Sequence, residues 1–188
     1  APFAFWYLKL FGHPDVRILN GGRKKWVSEG RSLTVETPNI KETTYEATSP
    51  DASLRVLSDE VKTAINNANY FLIDARTSQE YSGEWFWYAN QVPKEGERAG
   101  HIPGAVNILY ELALNKDDTF KSREELSILY GNKGVTSEKE IIPYCTVGAR
   151  SSCTWFILKY LLGYPKVRNY DGSWNEWSRL SDATIEKV

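Results

Sequence analysis

The 188-residue chain sets 23 Lys and Arg against 24 Asp and Glu, a net charge of −1 that gives no broad electrostatic case for nucleic acid or an anionic membrane surface. No apolar run approaches the length of a membrane span, the first residues show no signal-peptide pattern, and two Cys and two His match neither a disulfide framework nor a zinc spacing, so a reducing cytoplasm is the expected setting. Seven Trp and eleven Tyr supply a dense core, and the absence of any Met, even at position 1, reads as a chain that does not begin where translation began.

Ala1 to Phe11 reads as an aromatic-rich helix ended by Gly12, Val16 to Leu19 as a short strand, and Gly22 to Glu29 as a second helix closed by Gly30. The stretch Gly12 to Trp26 returns as Gly163 to Trp177. Gly, Pro, Val, Arg, Gly and Trp recur at one offset, and an aromatic helix precedes each copy. The chain is therefore expected to hold the end of one unit, residues 1–31, then an aperiodic linker, residues 32–53, then a whole related unit, residues 54–188. The apolar side of the first helix is expected to pack on the missing part of its unit, as a separate chain, or on a neighbour.

From Leu54 onward strands and helices alternate. A capped helix runs from Ser58 to about Asn69, and Tyr70 to Ile73 is a buried strand ending at Asp74-Ala75-Arg76. Thr77 to Tyr81 is a short helix. Ser82 to Arg98 is a long insertion with Trp85, Phe86, Trp87 and Tyr88 together, equally suited to a functional loop or to an edge of the core. Ala99 to Ala105 is turn-rich and enters the strand Val106 to Ile108. Ser122-Arg123-Glu124-Glu125 is a capping box whose helix reaches about Tyr130. Ile141 to Tyr144 is a buried strand, Thr154 to Leu162 a helix, Val167 to Tyr170 the last strand and Ser173 to Leu180 the last helix. The alternation predicts an α/β fold, a mainly parallel sheet with helices on both faces and its ligand site beyond the carboxyl ends of the strands.

Cys145 falls at such an end. Between strand and helix lies the small-residue loop Cys145-Thr146-Val147-Gly148-Ala149-Arg150-Ser151. A strand feeding a helix through such a loop turns its N–H groups toward one centre, an anion cradle in which a thiol ionises readily and acts as a nucleophile. A plain buried cysteine needs neither Gly148 nor Arg150, whose planar cation suits sulfonate, carboxylate or phosphate. Cys153 reads as core packing.

Three segments resemble the rhodanese-type sulfurtransferases: Leu72 to Arg76 with Gly100 to Ala105, the loop Tyr144 to Ser152, and Asn169 to Trp174. The resemblance extends over nearly the whole chain, with residues 1–31 similar to the end of the first domain of a tandem rhodanese. It implies a cysteine that takes a sulfane sulfur as a persulfide and passes it to cyanide or a thiol, with no metal or organic cofactor. On that reading Cys145 is the nucleophile, and the N–H groups of Thr146, Val147, Gly148, Ala149, Arg150 and Ser151 solvate the terminal sulfur. Arg150 holds the anionic leaving group, Arg98 is a second cation, Asp74 and Arg76 brace the loop, and His101 is a turn residue rather than a base. Thr146 matches the residue after the cysteine in neither the thiosulfate-using nor the mercaptopyruvate-using branch, while the Gly-x-Arg-Ser-Ser ending favours thiosulfate over mercaptopyruvate. A rhodanese-fold phosphatase has a longer loop than the four residues between Cys145 and Arg150, and a non-catalytic binding module has no need of Cys145.

Overall fold

The computed structural model describes residues 1–87 and 90–188; Tyr88 of the aromatic insertion lies outside them. Its centre is a parallel sheet of β1 (Tyr70–Asp74), β2 (Val106–Asn107) and β3 (Glu140–Tyr144) in the order β2-β1-β3. Leu72 pairs with Ile142, and Ile73 with Val106. Two extended segments continue the sheet. Arg168 and Tyr170 donate N–H bonds to Ile141 and Pro143 at 3.0 and 3.1 Å, and Val56 donates to Asn169 at 3.1 Å.

Successive strand residues face opposite sides of a sheet, and here both sides are apolar. Ile73 and Ile141 join one core with Trp155, Ile157 and Leu158, whereas Leu72, Ile142 and Tyr144 join another with Val61, Ile102, Trp174 and Trp177. Helices flank the sheet: α1 (Pro2–Leu10), α2 (Gly22–Ser28), which buries none of its residues, α3 (Ser58–Ala64), α4 (Ser78–Ser82), α5 (Arg123–Gly131), α6 (Ser151–Phe156) and α7 (Ser173–Trp177). No helix among the described residues is long and apolar enough to cross a membrane.

The helix after the loop begins at Ser151 rather than Thr154, and its continuation over Ile157–Leu161 is a π-helix, with Leu162 N–H reaching Ile157 O at 2.9 Å. Val16 to Leu19 forms no strand among the described residues. Val16 and Ile18 still pack on the core while Leu19 is exposed, so the alternation that predicts a strand survives as burial without a ladder. Residues 32–53 carry no regular structure and are exposed; Thr48 and Asp51 N–H groups tie them to Phe11 and Leu10 carbonyls.

The first helix packs otherwise than expected. Phe5, Trp6 and Leu10 of α1 are buried within this chain: the Phe5 ring meets Phe156 at 5.0 Å, and Trp6 Nε1 donates to Leu54 O at 3.0 Å. Burying one such aromatic contributes about 1.5–3 kcal/mol, which holds α1 against α6. Phe3, Tyr7 and Leu8 stay exposed.

Candidate active site

Cys145 is fully buried at the carboxyl end of β3, and two elements hold its loop from opposite ends in sequence. From the C-terminal side comes the segment Asn169 to Asn175. Ser173 Oγ accepts the N–H of Cys145 and the N–H of Gly148, both at 3.1 Å, and donates to Tyr170 O at 2.7 Å. One hydroxyl thereby uses its two lone pairs and its proton. Trp174 and Asn175 N–H groups close on the carbonyls of Cys145 and Thr146, and Asn169 Oδ1 accepts the Ser151 hydroxyl at 2.7 Å. Ser173 occupies the left-handed region at φ 53°, unfavourable for a residue with a side chain, and its three bonds hold it there.

Gly148 is required twice over. Its φ is +79°, and a Cβ would lie 2.8 Å from Asp171 Cα. Its N–H belongs to Ser173, so it does not serve as a sulfur ligand as the loop pattern predicts; glycine is there to let the Asp171 backbone approach. The N–H groups of Thr146, Val147 and Ala149 find no protein acceptor among the described residues. Val147 is exposed at the loop rim.

From the other side comes Glu80, a residue that sequence reasoning did not single out. It is fully buried and takes both terminal nitrogens of Arg150 at 2.7 Å, and Thr146 Oγ1 donates to it at 3.1 Å. Arg150 also donates to Thr146 Oγ1. Burial raises the Glu80 pKa, but the Arg150 hydrogen bonds and charge, with the Thr77 N–H and Arg76, outweigh it and hold the carboxyl below its ordinary value. Glu80 also completes a capping box with Thr77 at the start of α4. That Thr-x-x-Glu pattern was the legible signal, and it reads as nothing more than a helix cap.

Asp74 and Arg76 form a fully buried ion pair at the end of β1, 2.6 Å at its shortest. Arg76 reaches Gly100 O at 2.7 Å and lies 4.6 Å over the Trp174 ring, tying β1 to the helix that holds the loop. Arg98 does not join the loop. Its two terminal nitrogens donate to Leu180 and Ala183 carbonyls in the C-terminal segment, where a carbonyl pair outcompetes a distant anion site for its planar fork. His101 stacks on Tyr81 at 3.7 Å, with Nδ1 on Tyr81 O at 2.8 Å.

Beside the loop opens a cleft of about 400 Å³ lined by Ala149, Arg150 and Cys153, by Tyr110 and Phe120, and by Ile18 and Arg23 from the N-terminal segment. Burial pushes the Cys153 thiol up to about 12, so it stays protonated at neutral pH. Among the described residues no cluster of His, Cys, Asp and Glu could hold a metal ion.

The sequence profile of the rhodanese-like domain matches residues 57–180. A Thermus thermophilus protein named sulfur carrier protein TtuD is 50% identical over 191 residues, all of this chain and 67% of that protein. A Saccharopolyspora erythraea protein provisionally named a thiosulfate sulfurtransferase is 50% identical over 186 residues, 99% of this chain and 66% of its own length. Among solved structures, an EanB variant with a cysteine persulfide, in a tetrahedral intermediate state with ergothioneine, has TM-score 0.87 at 28% identity over 100% of this chain and 45% of that one. An anaerobic ergothioneine biosynthesis enzyme from Chlorobium limicola, in complex with trimethyl histidine, has TM-score 0.85 at 29% identity over 100% of this chain and 45% of that one. The chain spans about two thirds of the length of these curated relatives.

Proposed function

This chain belongs to the rhodanese-like domain family, and we propose that it moves a sulfane sulfur from an anionic donor, thiosulfate, through a persulfide on Cys145 to cyanide or a thiol acceptor. The observation that carries this is a fully buried cysteine at the carboxyl end of β3, followed in its loop by Thr146, Val147 and Ala149, whose N–H groups have no protein acceptor among the described residues. Those donors suit the terminal sulfur of a persulfide anion, as an oxyanion hole suits oxygen.

The first half-reaction balances without a proton or an outside electron. The Cys145 thiolate attacks the outer sulfur of thiosulfate, the new S–S bond forms, and the old one breaks with its electron pair leaving on sulfite. In the second, cyanide attacks the terminal sulfur, departs as thiocyanate and returns the thiolate. Arg150 supplies positive charge beside the loop while Glu80 fixes its direction. Asp74 and Arg76 support the loop through Trp174. Residues 1–31 belong, on this reading, to the end of a preceding rhodanese-like unit, joined through 32–53 to the catalytic unit 54–188.

Intact mass after incubation with thiosulfate tests the proposal. The expected result is a gain of one sulfur atom that cyanide removes, and no gain in Cys145→Ala. No adduct on the wild-type chain would overturn thiosulfate as donor, and an adduct from mercaptopyruvate alone would assign that donor instead.

A further inference from the structure

We infer that one extra residue in the helix behind the cysteine loop, taken up as the π-turn over Ile157–Leu161 and clamped by Arg123 of α5, sets where that loop stands, which makes Arg123 a positioning residue for loading Cys145. The inference rests on the sulfur-transfer reading above for the step it affects.

The two copies of the repeat locate the extra residue. Phe5-Trp6-Tyr7-Leu8-Lys9 matches Trp155-Phe156-Ile157-Leu158-Lys159, and Gly12 matches Gly163. Between Lys9 and Gly12 stand Leu10 and Phe11, whereas Tyr160, Leu161 and Leu162 stand between Lys159 and Gly163. The backbone shows the difference at the same place. In the first copy Phe11 N–H reaches Tyr7 O at 3.3 Å and His13 N–H reaches Leu8 O at 2.9 Å. In the second, Leu162 N–H reaches Ile157 O and Tyr164 N–H reaches Leu158 O, both at 2.9 Å, so each matching bond spans one residue more. Both helices then end on a left-handed glycine, Gly12 at φ +78° and Gly163 at φ +80°. Such a wide turn is rare and occurs most often at functional sites.

The clamp is the second difference. In the first copy the carbonyls of Leu10 and Phe11 accept backbone N–H groups, from Asp51 and Thr48. The matching carbonyls of the second copy, Leu161 and Leu162, accept the two terminal nitrogens of Arg123 at 2.5 and 2.8 Å. A planar fork holds two carbonyls at once in a fixed direction. The other end of the same helix is tied to the returning strand segment: Ser151 Oγ donates to Asn169 at 2.7 Å and Trp155 Nε1 to Val167 O at 3.1 Å. One residue is worth about 1.5 Å and 100° of helix. With both ends tied, the extra residue decides how far the helix reaches toward Ser151, where the cysteine loop joins it.

Single-turnover loading from thiosulfate, in Cys153→Ala so that Cys145 is the one thiol, provides the test. The amplitude counts folded molecules, and the rate constant reports the geometry of the loop. Arg123→Ala is expected to lower the rate constant about tenfold at unchanged amplitude, the scale of coupling through a packed element, and Arg123→Lys to recover part of the loss. A chain lacking Tyr160 has the spacing of the first copy and should load about a hundredfold more slowly, as reacting groups misplaced by an ångström do. Tyr160→Ala keeps the spacing and should load like its parent. An unchanged rate constant in Arg123→Ala, a loss of amplitude alone, or equal losses in Tyr160→Ala and the shortened chain would overturn the inference. Thermal unfolding shows whether the shortened chain folds; if it does not, the Arg123 variants decide. Should the parent take up no sulfur, sulfur transfer falls, and the rate at which iodoacetamide alkylates Cys145 in the same variants decides the positioning role.

Discussion

The stretch from Gly12 to Trp26 and the stretch from Gly163 to Trp177 share a sequence pattern and much of a backbone. Gly12 and Gly163 take φ +78° and +80°, and Gly22 and Ser173, at the same place in the pattern, take φ +55° and +53°. A helix begins at each of these last two, and Trp26 and Trp177 each donate Nε1–H to a carbonyl a few residues on, both at 2.9 Å. They differ in what they carry. The first copy needs only a turn, and glycine makes it without strain. The second puts a serine into the same left-handed conformation, at a cost of about 1–2 kcal/mol, because its hydroxyl holds the cysteine loop. A strained non-glycine residue thus marks the copy with the chemistry.

The largest expected effect removes what the second copy serves. Cys145→Ala should abolish sulfur transfer rather than slow it, since no neighbouring group replaces a covalent carrier. Thiocyanate release measured against the uncatalysed rate checks this, and residual turnover above that rate would place the sulfur elsewhere.

Next comes the carboxylate that clasps Arg150 at the far end of the loop. Glu80→Gln keeps the shape but leaves Arg150 without a counter-charge, and breaking a buried ion pair costs about 3 kcal/mol or more. The pH dependence has a definite sign. Because the folded Glu80 carboxyl lies below its ordinary value of 4.5, its stabilisation is complete above that pH. It is lost as pH falls through the folded pKa. Urea unfolding of wild type and variant should therefore differ most at neutral pH and converge in acid; a gap that persists in strong acid would mean that Glu80 acts through shape alone.

How much of this is legible in the chain follows from where each signal resides. Buried strands such as Ile141 to Tyr144 declare themselves by composition, and Cys145, Gly148 and Arg150 by their order in one loop. Glu80 and Ser173 do not. Each looks like a residue at a helix start, one in a capping box and the other after a glycine. Their second partners lie across the fold: Glu80 is separated from Arg150, and Ser173 from Cys145, by long stretches of chain. Local pattern explains each residue too cheaply, so its tertiary role stays hidden. Arg98 misleads in the reverse direction, because a cation near a motif is easily assigned to it while nearer carbonyls hold it.

Converting the second copy into the first sharpens the comparison further. Ser173→Gly and Ser173→Ala both leave the Cys145 and Gly148 N–H groups unpaired, at about 1–3 kcal/mol. Glycine relieves the left-handed strain and alanine keeps it, so Ser173→Ala should be the less stable by about 1 kcal/mol. Both should slow persulfide loading alike, since both loosen the same loop. Alanine unfolding no earlier than glycine would mean that the strain assigned to Ser173 is absent.

The smallest effect is expected at Cys153. It stands eight residues beyond Cys145, in the first turn of α6, 6% exposed and on the cleft wall, which makes it look like a resolving thiol. Its environment argues otherwise. Burial raises its pKa to about 12, so thiolate at neutral pH is scarce, and a resolving cysteine must ionise to attack a persulfide. The neighbouring core gives the side chain its role: it packs with Tyr130, Trp155 and Leu126 as a small apolar group. Cys153→Ser should cost about 1 kcal/mol, because a hydroxyl replaces a thiol in an apolar site, and should leave thiocyanate release nearly unchanged. Cys153→Ala removes the thiol without adding a polar group and should leave turnover equally intact. A large loss of turnover in both variants, with unfolding little altered, would make Cys153 a participant in sulfur transfer and leave Cys145 as only half of the carrier.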